Sequence, residues 1–221
     1  MSALAIHPGA AYHVESLEGS RFRSCFDALV RPEDLASVQL ERFDLVIVPC
    51  RTPAHRIGPR APQLRAYLDA GGTIFASGES NSHLWLPGID FIPQPTNWWW
   101  WLDPNADIGV RLLDGVHPLI RRLGQSDVTW HIHGTFRPPN GAEVLIADTQ
   151  GRSIMHVDQV TTRGRMIVTS LDPFYHHGSH FMPATTRFLD AFLPSLRELC
   201  STKSGIAGPG RPVGAGALVA D

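Results

Sequence analysis

Two groups of histidines stand at spacings that suit metal binding or proton transfer. His131 and His133 alternate as residues of a strand do, so both side chains should point to one face. A second group, His176, His177 and His180, directly follows an apolar segment. Divalent cations such as zinc take three or four nitrogen or oxygen ligands, and histidine also acts as a general base near neutral pH. The spacing therefore predicts a metal or acid–base site, with purely structural histidines as the alternative.

A turn of small and polar residues, Gly78-Glu79-Ser80-Asn81-Ser82, follows another apolar segment. Read as G-x-S-x-S, it is similar to a nucleophile elbow, in which a strained strand-to-helix turn exposes a serine beside backbone N–H donors. Ser80 would then be a nucleophile, and Glu79 a base, a metal ligand or an acceptor for a hydroxyl group. The alternative is a plain turn that uses glycine and serine for its backbone geometry.

Three further polar residues follow apolar segments. Cys50 and Arg51 come after Asp44–Pro49, and Asp172 comes after Met166–Leu171. Nothing adjacent in sequence lowers the pKa of the Cys50 thiol, and a thiol reacts only when that pKa is lowered. A semi-buried structural cysteine is therefore the alternative to a ligand-binding one.

Four consecutive tryptophans, Trp98–Trp101, form the most unusual stretch of the chain. Because alternate side chains of a strand face opposite ways, all four cannot be buried, and at least one or two should be exposed. An exposed indole suits stacking on a sugar ring or on a planar or cationic ligand. An oligomer interface or a packed lid explains the block equally well.

Continuous apolar runs bounded by polar residues or proline predict buried parallel strands. They are Ala3–Ile6, Asp44–Pro49, Thr73–Ala76 and Met166–Leu171. Helical spacing of apolar residues predicts helices over Ser20–Leu29, Gln63–Ala70 and Thr185–Leu199. Since the carboxyl ends of parallel strands meet at one sheet edge, where open α/β folds bind ligands, the candidate residues should converge there.

Composition excludes several classes of protein. The formal net charge of −2 and the sequence pI near 6.6 give no broad basic field for nucleic acid or an anionic membrane. The three cysteines are odd in number and lack CxxC spacing, so a reducing, cytoplasmic location is expected. No window is apolar enough to span a bilayer. Residues 81–140 read as an irregular insertion into one domain, 1–200, and 201–221 as a disordered tail rich in Gly, Pro and Ala.

Three elements together resemble a known superfamily: the strand ending in Pro49, the stretch QLRAYLDAGGTIFASGES and the late GRMIVTSLD. The chain resembles the class I glutamine amidotransferase-like superfamily, nearest its ThuA-like (trehalose-utilisation) branch. This resemblance implies an α/β, flavodoxin-like three-layer sandwich with a mostly parallel central sheet. True amidotransferases carry a cysteine in a G-x-C-x-G elbow and a late His-x-Glu pair. Here the elbow holds Ser77–Asn81 without cysteine, so glutaminase activity is not expected.

We therefore expect an amidotransferase-like domain that binds a small polar, carbohydrate-like molecule at the strand edge and acts as a His/carboxylate-dependent hydrolase or isomerase. The alternatives are a non-catalytic interaction or homo-oligomerisation module using the tryptophan block, and a serine hydrolase using Ser80. Candidate catalytic residues are Glu79, Ser80, His176 and His177. Candidate ligand-binding residues are Cys50, Arg51, Trp98, Trp99, His131, His133, Asp172 and His180. Candidate metal ligands are His131, His133, His177 and His180.

Overall fold

The computed structural model describes residues 1–96, 98–103, 105, 107–113 and 116–201. Within them, one sheet contains ten strands: β1 Ala3–Ile6, β2 Ala28–Val30, β3 Leu45–Val48, β4 Thr73–Ser77, β5 Asp90–Pro93, β6 Val110–Leu112, β7 Gly134–Arg137, β8 Glu143–Asp148, β9 Ser153–Asp158 and β10 Arg165–Thr169. The α-helices in this part of the chain are α1 Ala11–Glu18, α2 Ala54–Ile57, α3 Ala61–Asp69, α4 Pro173–Gly178 and α5 Pro183–Ser201.

The parallel half of the sheet has the order β2-β1-β3-β4-β10. With β10 as the fifth strand of that half, this is the 2-1-3-4-5 order of flavodoxin-like folds. Beyond β10 the sheet continues through the antiparallel strands β9, β7 and β5, and β8 pairs with both β9 and β6. The predicted α/β, flavodoxin-like architecture is confirmed, and the insertion contributes most of the antiparallel half.

Successive residues of the buried strands face opposite sides of the sheet, and helices pack on both sides, which gives three layers. In β1, Ala3 and Ala5 face the core formed with α1, α4 and α5, whereas Leu4 and Ile6 face the core formed with α2 and α3. Both faces of a parallel sheet are covered by helices, which is why its strands are continuously apolar. Phe188 of α5 is fully buried against the sheet; burial of a phenylalanine side chain contributes about 1.5–3 kcal/mol.

One predicted element is wrong. Over Ser20–Leu29 the chain forms a 3-10 turn at Arg23–Cys25 and then enters β2, while the helix lies earlier, in α1. Phe22 and Phe26 have helical spacing and are both buried, but the backbone N–H of Asp27 donates to Ala3 at 2.8 Å. Pairing with β1 therefore overrides the local helical pattern, as tertiary contacts often do.

At the C-terminal end, α5 extends through Ser201, one residue beyond the predicted domain boundary. The rest of the predicted disordered tail, 202–221, lies outside the described residues. None of the helices described is both long enough and apolar enough to cross a bilayer.

Candidate functional site

Three neighbouring parallel strands deliver polar residues to one edge of the sheet. Arg51 follows β3, Glu79 follows β4 and Asp172 follows β10. Arg51 Nη2 lies 3.0 Å from Glu79 Oε2, and its guanidinium lies 3.6 Å from the centre of the Tyr175 ring. Arg51 also has a left-handed backbone (φ +59°), which costs a residue with a side chain about 1 kcal/mol or more. The surrounding contacts thus fix both the charge and the direction of Arg51.

Gly78 allows the strand ends to come this close. Its φ is +52°, and a Cβ atom there would lie 2.6 Å from the Cβ of Cys50 and 2.7 Å from that of Asp172. Real Cβ atoms do not approach that closely, so only glycine fits between these two residues. The first position after β4 therefore carries no side chain that could act as a nucleophile.

Asp172 is the centre of a buried polar cluster. Its carboxylate is fully buried; Oδ1 lies 3.0 Å from His176 Nε2 and accepts a hydrogen bond of 3.3 Å from Trp130 Nε1. His131 Nε2 lies 3.2 Å from the same His176 nitrogen. On the other side, Asp172 Oδ2 lies 3.6 Å from His133 Nε2, which is beyond hydrogen-bonding distance. His133 Nδ1 in turn lies 3.7 Å from Glu79 Oε1.

Burial and charge set the protonation of this cluster. Burial by itself would raise the pKa of Asp172, but the neighbouring imidazoles of His133 and His176 outweigh it and hold that pKa below its ordinary value. Burial lowers the pKa of His131 to about 4, although the Asp172 carboxylate opposes this shift. At neutral pH the cluster therefore contains a charged carboxylate beside a neutral imidazole that has a free lone pair.

A cleft of about 1170 Å³ opens above the cluster. His131 and His176 form part of its floor, and Trp98, Tyr175 and Phe181 give it aromatic walls. The Trp98 ring centroid lies 4.8 Å from that of His131. A concave, largely apolar space with a few convergent polar groups is the usual form of a small-molecule site.

A smaller cavity of about 210 Å³ lies on the other side of His133. Glu79, Thr96 and Ser170 contribute polar groups to it. The Ser170 hydroxyl is buried and has no hydrogen-bond partner among the described residues. His133 and Glu79 therefore line this polar recess, and neither is among the residues that line the large cleft.

Two predicted histidines lie outside the cluster. His177 follows His176 in α4, but its Nδ1 lies 2.8 Å from Thr186 Oγ1 in α5. His180 has a largely exposed side chain and lies 3.8 Å from Glu15. Of the predicted metal ligands His131, His133, His177 and His180, the structure does not bring the last two to the cluster, and it places Asp172 and His176 beside His131.

Ser80 does not have the environment of a nucleophile. Its side chain is 1% exposed, and its hydroxyl has no hydrogen-bond partner among the described residues. Only its carbonyl oxygen is engaged, by the indole N–H of Trp85 at 2.9 Å. An activated serine needs a base within hydrogen-bonding reach. This geometry favours the plain-turn interpretation of Gly78–Ser82.

Cys50 is structural rather than ligand-binding. It is fully buried, its sulfur accepts the backbone N–H of Tyr175 at 3.2 Å, and its carbonyl oxygen accepts from His13 Nε2 at 2.9 Å. Burial, with the nearby Asp172 charge, raises the pKa of the thiol far above its ordinary value. The structure places Cys50, a predicted ligand-binding residue, beneath the site, where it ties β3 to α1 and α4.

The tryptophan block is divided between surface and core. Trp98 is 51% exposed and Trp99 is 66% exposed, whereas Trp100 packs against the core. The expectation of at least one or two exposed indoles is confirmed; of this pair, only Trp98 lines the cleft. Sequence reasoning missed Trp130 and Tyr175. No pattern marks Trp130, but Tyr175 stands next to His176 and could have been chosen with it.

No protein-family model matches the sequence, and comparison with curated proteins finds no match. Solved structures do match. A glutamine amidotransferase from Thermotoga maritima is 10% identical, with TM-score 0.52 over 90% of this chain and 85% of that one. A cytoplasmic protein from Salmonella typhimurium LT2 is 12% identical, with TM-score 0.54 over 91% and 99%. A ThuA-like protein from Bacteroides uniformis is 13% identical, with TM-score 0.49 over 86% and 88%. The first two likenesses confirm the amidotransferase-like fold, and the fold alone.

Proposed function

We propose that this chain is an amidotransferase-like domain that binds a small polar molecule with a ring-shaped, carbohydrate-like face and does not hydrolyse glutamine. The cleft above the Asp172 cluster is the observation that carries this proposal. Its aromatic walls suit the C–H face of a sugar ring, and its polar floor suits hydroxyl groups.

The aromatic walls and the polar floor of the cleft would contact different parts of a bound molecule. Trp98 presents a half-exposed indole at the cleft, opposite the ring of Tyr175 on α4. Arg51 and His131 offer a donor and an acceptor at the base of the same space. Both are held by neighbouring residues before any ligand arrives, which reduces the entropy cost of binding.

The reaction class we propose is hydrolysis or isomerisation through the histidine–carboxylate cluster. A neutral His131 beside the charged Asp172 can accept a proton from a bound hydroxyl or from water. Glutamine hydrolysis through a cysteine is disfavoured, because Gly78 occupies the turn after β4 and Cys50 is buried with a raised pKa.

The two exposed tryptophans provide a matched test. We expect Trp98→Ala to weaken binding of neutral mono- or disaccharides about tenfold, since a lost ring contact costs about 1.4 kcal/mol. Trp99→Ala, which changes a neighbouring indole outside the cleft lining, should bind as wild type does. Titration calorimetry with a panel of saccharides measures both. Failure of the whole panel, or equal loss in both variants, contradicts the proposal; release of ammonia from glutamine contradicts its second part.

A second candidate is a non-catalytic interaction module, favoured by the exposed apolar side chains of Trp98, Trp99 and Leu102. Clustered exposed apolar residues are common at protein interfaces. In that case wild type is a homo-oligomer, and a Trp98→Ala/Trp99→Ala variant has a lower mass by light scattering. An unchanged mass with lost saccharide binding favours the cleft instead.

We also propose a cytoplasmic location. Cys25 and Cys50 form no disulfide within the described residues. Free thiols fit a reducing compartment. Fractionation of the native host that found the protein outside the cytoplasm would contradict this.

A further inference from the structure

The cluster beneath the cleft has side-chain geometry suited to a metal coordination sphere. We infer that His131, Asp172 and His176 form a binding site for a divalent transition-metal ion, for which zinc suits the donors, with one coordination position open to the cleft. The inference rests on the arrangement of these three side chains and needs no knowledge of the ligand.

The distances fit a tetrahedral ion. Zinc binds histidine nitrogen and carboxylate oxygen at about 2.0–2.1 Å, so neighbouring ligand atoms of a tetrahedron stand about 3.3 Å apart. His131 Nε2 lies 3.2 Å from His176 Nε2, which lies 3.0 Å from Asp172 Oδ1. All three ligand atoms lie within 4.8 Å of one another. The two shorter separations are close to those expected around a single bound ion.

Hydrogen bonds alone satisfy the cluster poorly. A ring nitrogen carries at most one proton. If His176 Nε2 donates its proton to Asp172, His131 Nε2 can accept only a bifurcated hydrogen bond from that same N–H group. A cation accepts a lone pair from each of the three atoms at once, and the carboxylate charge offsets the ion's own charge in the buried site.

The surroundings of Asp172 suit a ligand role for one of its oxygens. The carboxylate is fully buried, and Oδ2 faces His133 Nε2 at 3.6 Å, so Oδ1 is the oxygen on the side of His131 and His176. The bond from Trp130 Nε1 to Asp172 Oδ1 is the kind of outer contact that orients a metal-bound carboxylate.

The coordination position that faces the cleft would let the ion contact a bound molecule. His131 and His176 both line the large cleft, so the side of the ion away from Asp172 would face a bound molecule. Two histidines, one carboxylate and a water form the usual set of a catalytic zinc, which lowers the pKa of the water to about 7. This use in hydrolysis rests on the proposed function, with the metal-bound water taking the place of His131 as the group that acts on the substrate, whereas metal binding does not.

Metal titration of the purified, chelator-treated chain tests the site. We expect one zinc ion per chain by calorimetry, and cobalt should give the visible absorption bands of four-coordinate Co²⁺ with nitrogen and oxygen ligands. His131→Ala and His176→Ala should each weaken zinc binding about 100-fold or more. Trp130→Phe, which removes the hydrogen bond to Asp172 together with part of a buried ring, should weaken it about tenfold.

His177→Ala is the matched control, because His177 is the next residue of α4 but bonds to Thr186 instead. It should keep wild-type affinity. Absence of saturable zinc and cobalt binding to wild type overturns the inference, as does equal affinity in wild type and His131→Ala, or equal loss in the His177→Ala control. Trp98→Ala should retain metal binding, so failure of saccharide binding and failure of metal binding are separately visible.

Discussion

Replacing Gly78 with alanine should disturb the site. Gly78 has φ +52°, and the added Cβ would meet Cys50 at the end of β3 and Asp172 after β10. Neither neighbour is the flexible end of a side chain, since both contacts are with Cβ atoms. The strand ends must therefore move apart to make room.

Two destabilising terms add in the Gly78→Ala variant. A left-handed backbone costs alanine about 1 kcal/mol, and overpacking of a close-packed interior costs about 1–3 kcal/mol. We therefore expect the free energy of unfolding to fall by about 2–4 kcal/mol. Gly151→Ala separates the two, because Gly151 also has a positive φ, +77°, but a Cβ there meets nothing within 4 Å. That variant should lose only about 1 kcal/mol.

Urea unfolding at 25 °C, followed by circular dichroism, measures both variants. Domains of ordinary stability, about 5–15 kcal/mol, tolerate either loss and stay folded. Because the Gly78 variant displaces Asp172, it should also bind zinc more weakly, while the Gly151 variant should not. Equal destabilisation of the two variants would refute the reasoning, since it would show that the close approach at Gly78 carries no cost.

Three further predictions concern protonation, reactivity and packing. Burial lowers the pKa of His156 to about 4, against an ordinary value near 6.5, so between these pH values the unfolded chain binds a proton and the folded chain does not. The neutral His156 contributes up to about 3.4 kcal/mol to the free energy of unfolding; this contribution is complete above pH 6.5 and is lost as the pH falls toward 4. The urea midpoint should therefore fall over this pH range, and it should fall less in the His156→Gln variant. Under native conditions a maleimide should label the partly exposed Cys25 well before the fully buried Cys50, as peptide mass spectrometry would show, and early labelling of Cys50 would contradict its structural role. Phe192→Ala should destabilise the fold by about 3–5 kcal/mol in urea, whereas Phe181→Ala, at an exposed phenylalanine, should cost less than about 1 kcal/mol.

Much of the site's location followed from the sequence, because position along parallel strands determines which ends meet. Arg51, Glu79 and Asp172 each follow a recognisable apolar strand, and the fold brings them to one edge. The choice between adjacent histidines did not follow. Successive residues of a helix point about 100° apart, so once Pro173–Gly178 forms α4, His176 faces Asp172 and His177 faces α5.

The insertion, residues 81–140, is a second part of the site whose contacts the sequence could not predict. His131 and His133 stand in a segment without clear periodicity, so the sequence placed them at the same edge as Asp172 but could not give their contacts. Those contacts depend on where long-range packing places the antiparallel strands beyond β10. Likewise, Ser20–Leu29 has helical spacing, yet pairing of β2 with β1 decides its conformation.

By itself, the sequence determined the buried parallel strands, the edge at which polar residues gather, the loss of the elbow cysteine and the exposure of part of the tryptophan block. Each of these depends on local pattern, which short-range sterics and burial convert directly into structure. Tertiary structure alone decided that Gly78 is a contact point, that Ser80 and Cys50 are buried, and that His131 and His176 meet over Asp172. These facts depend on distances between segments far apart in the chain, and such distances are fixed only when the whole core closes.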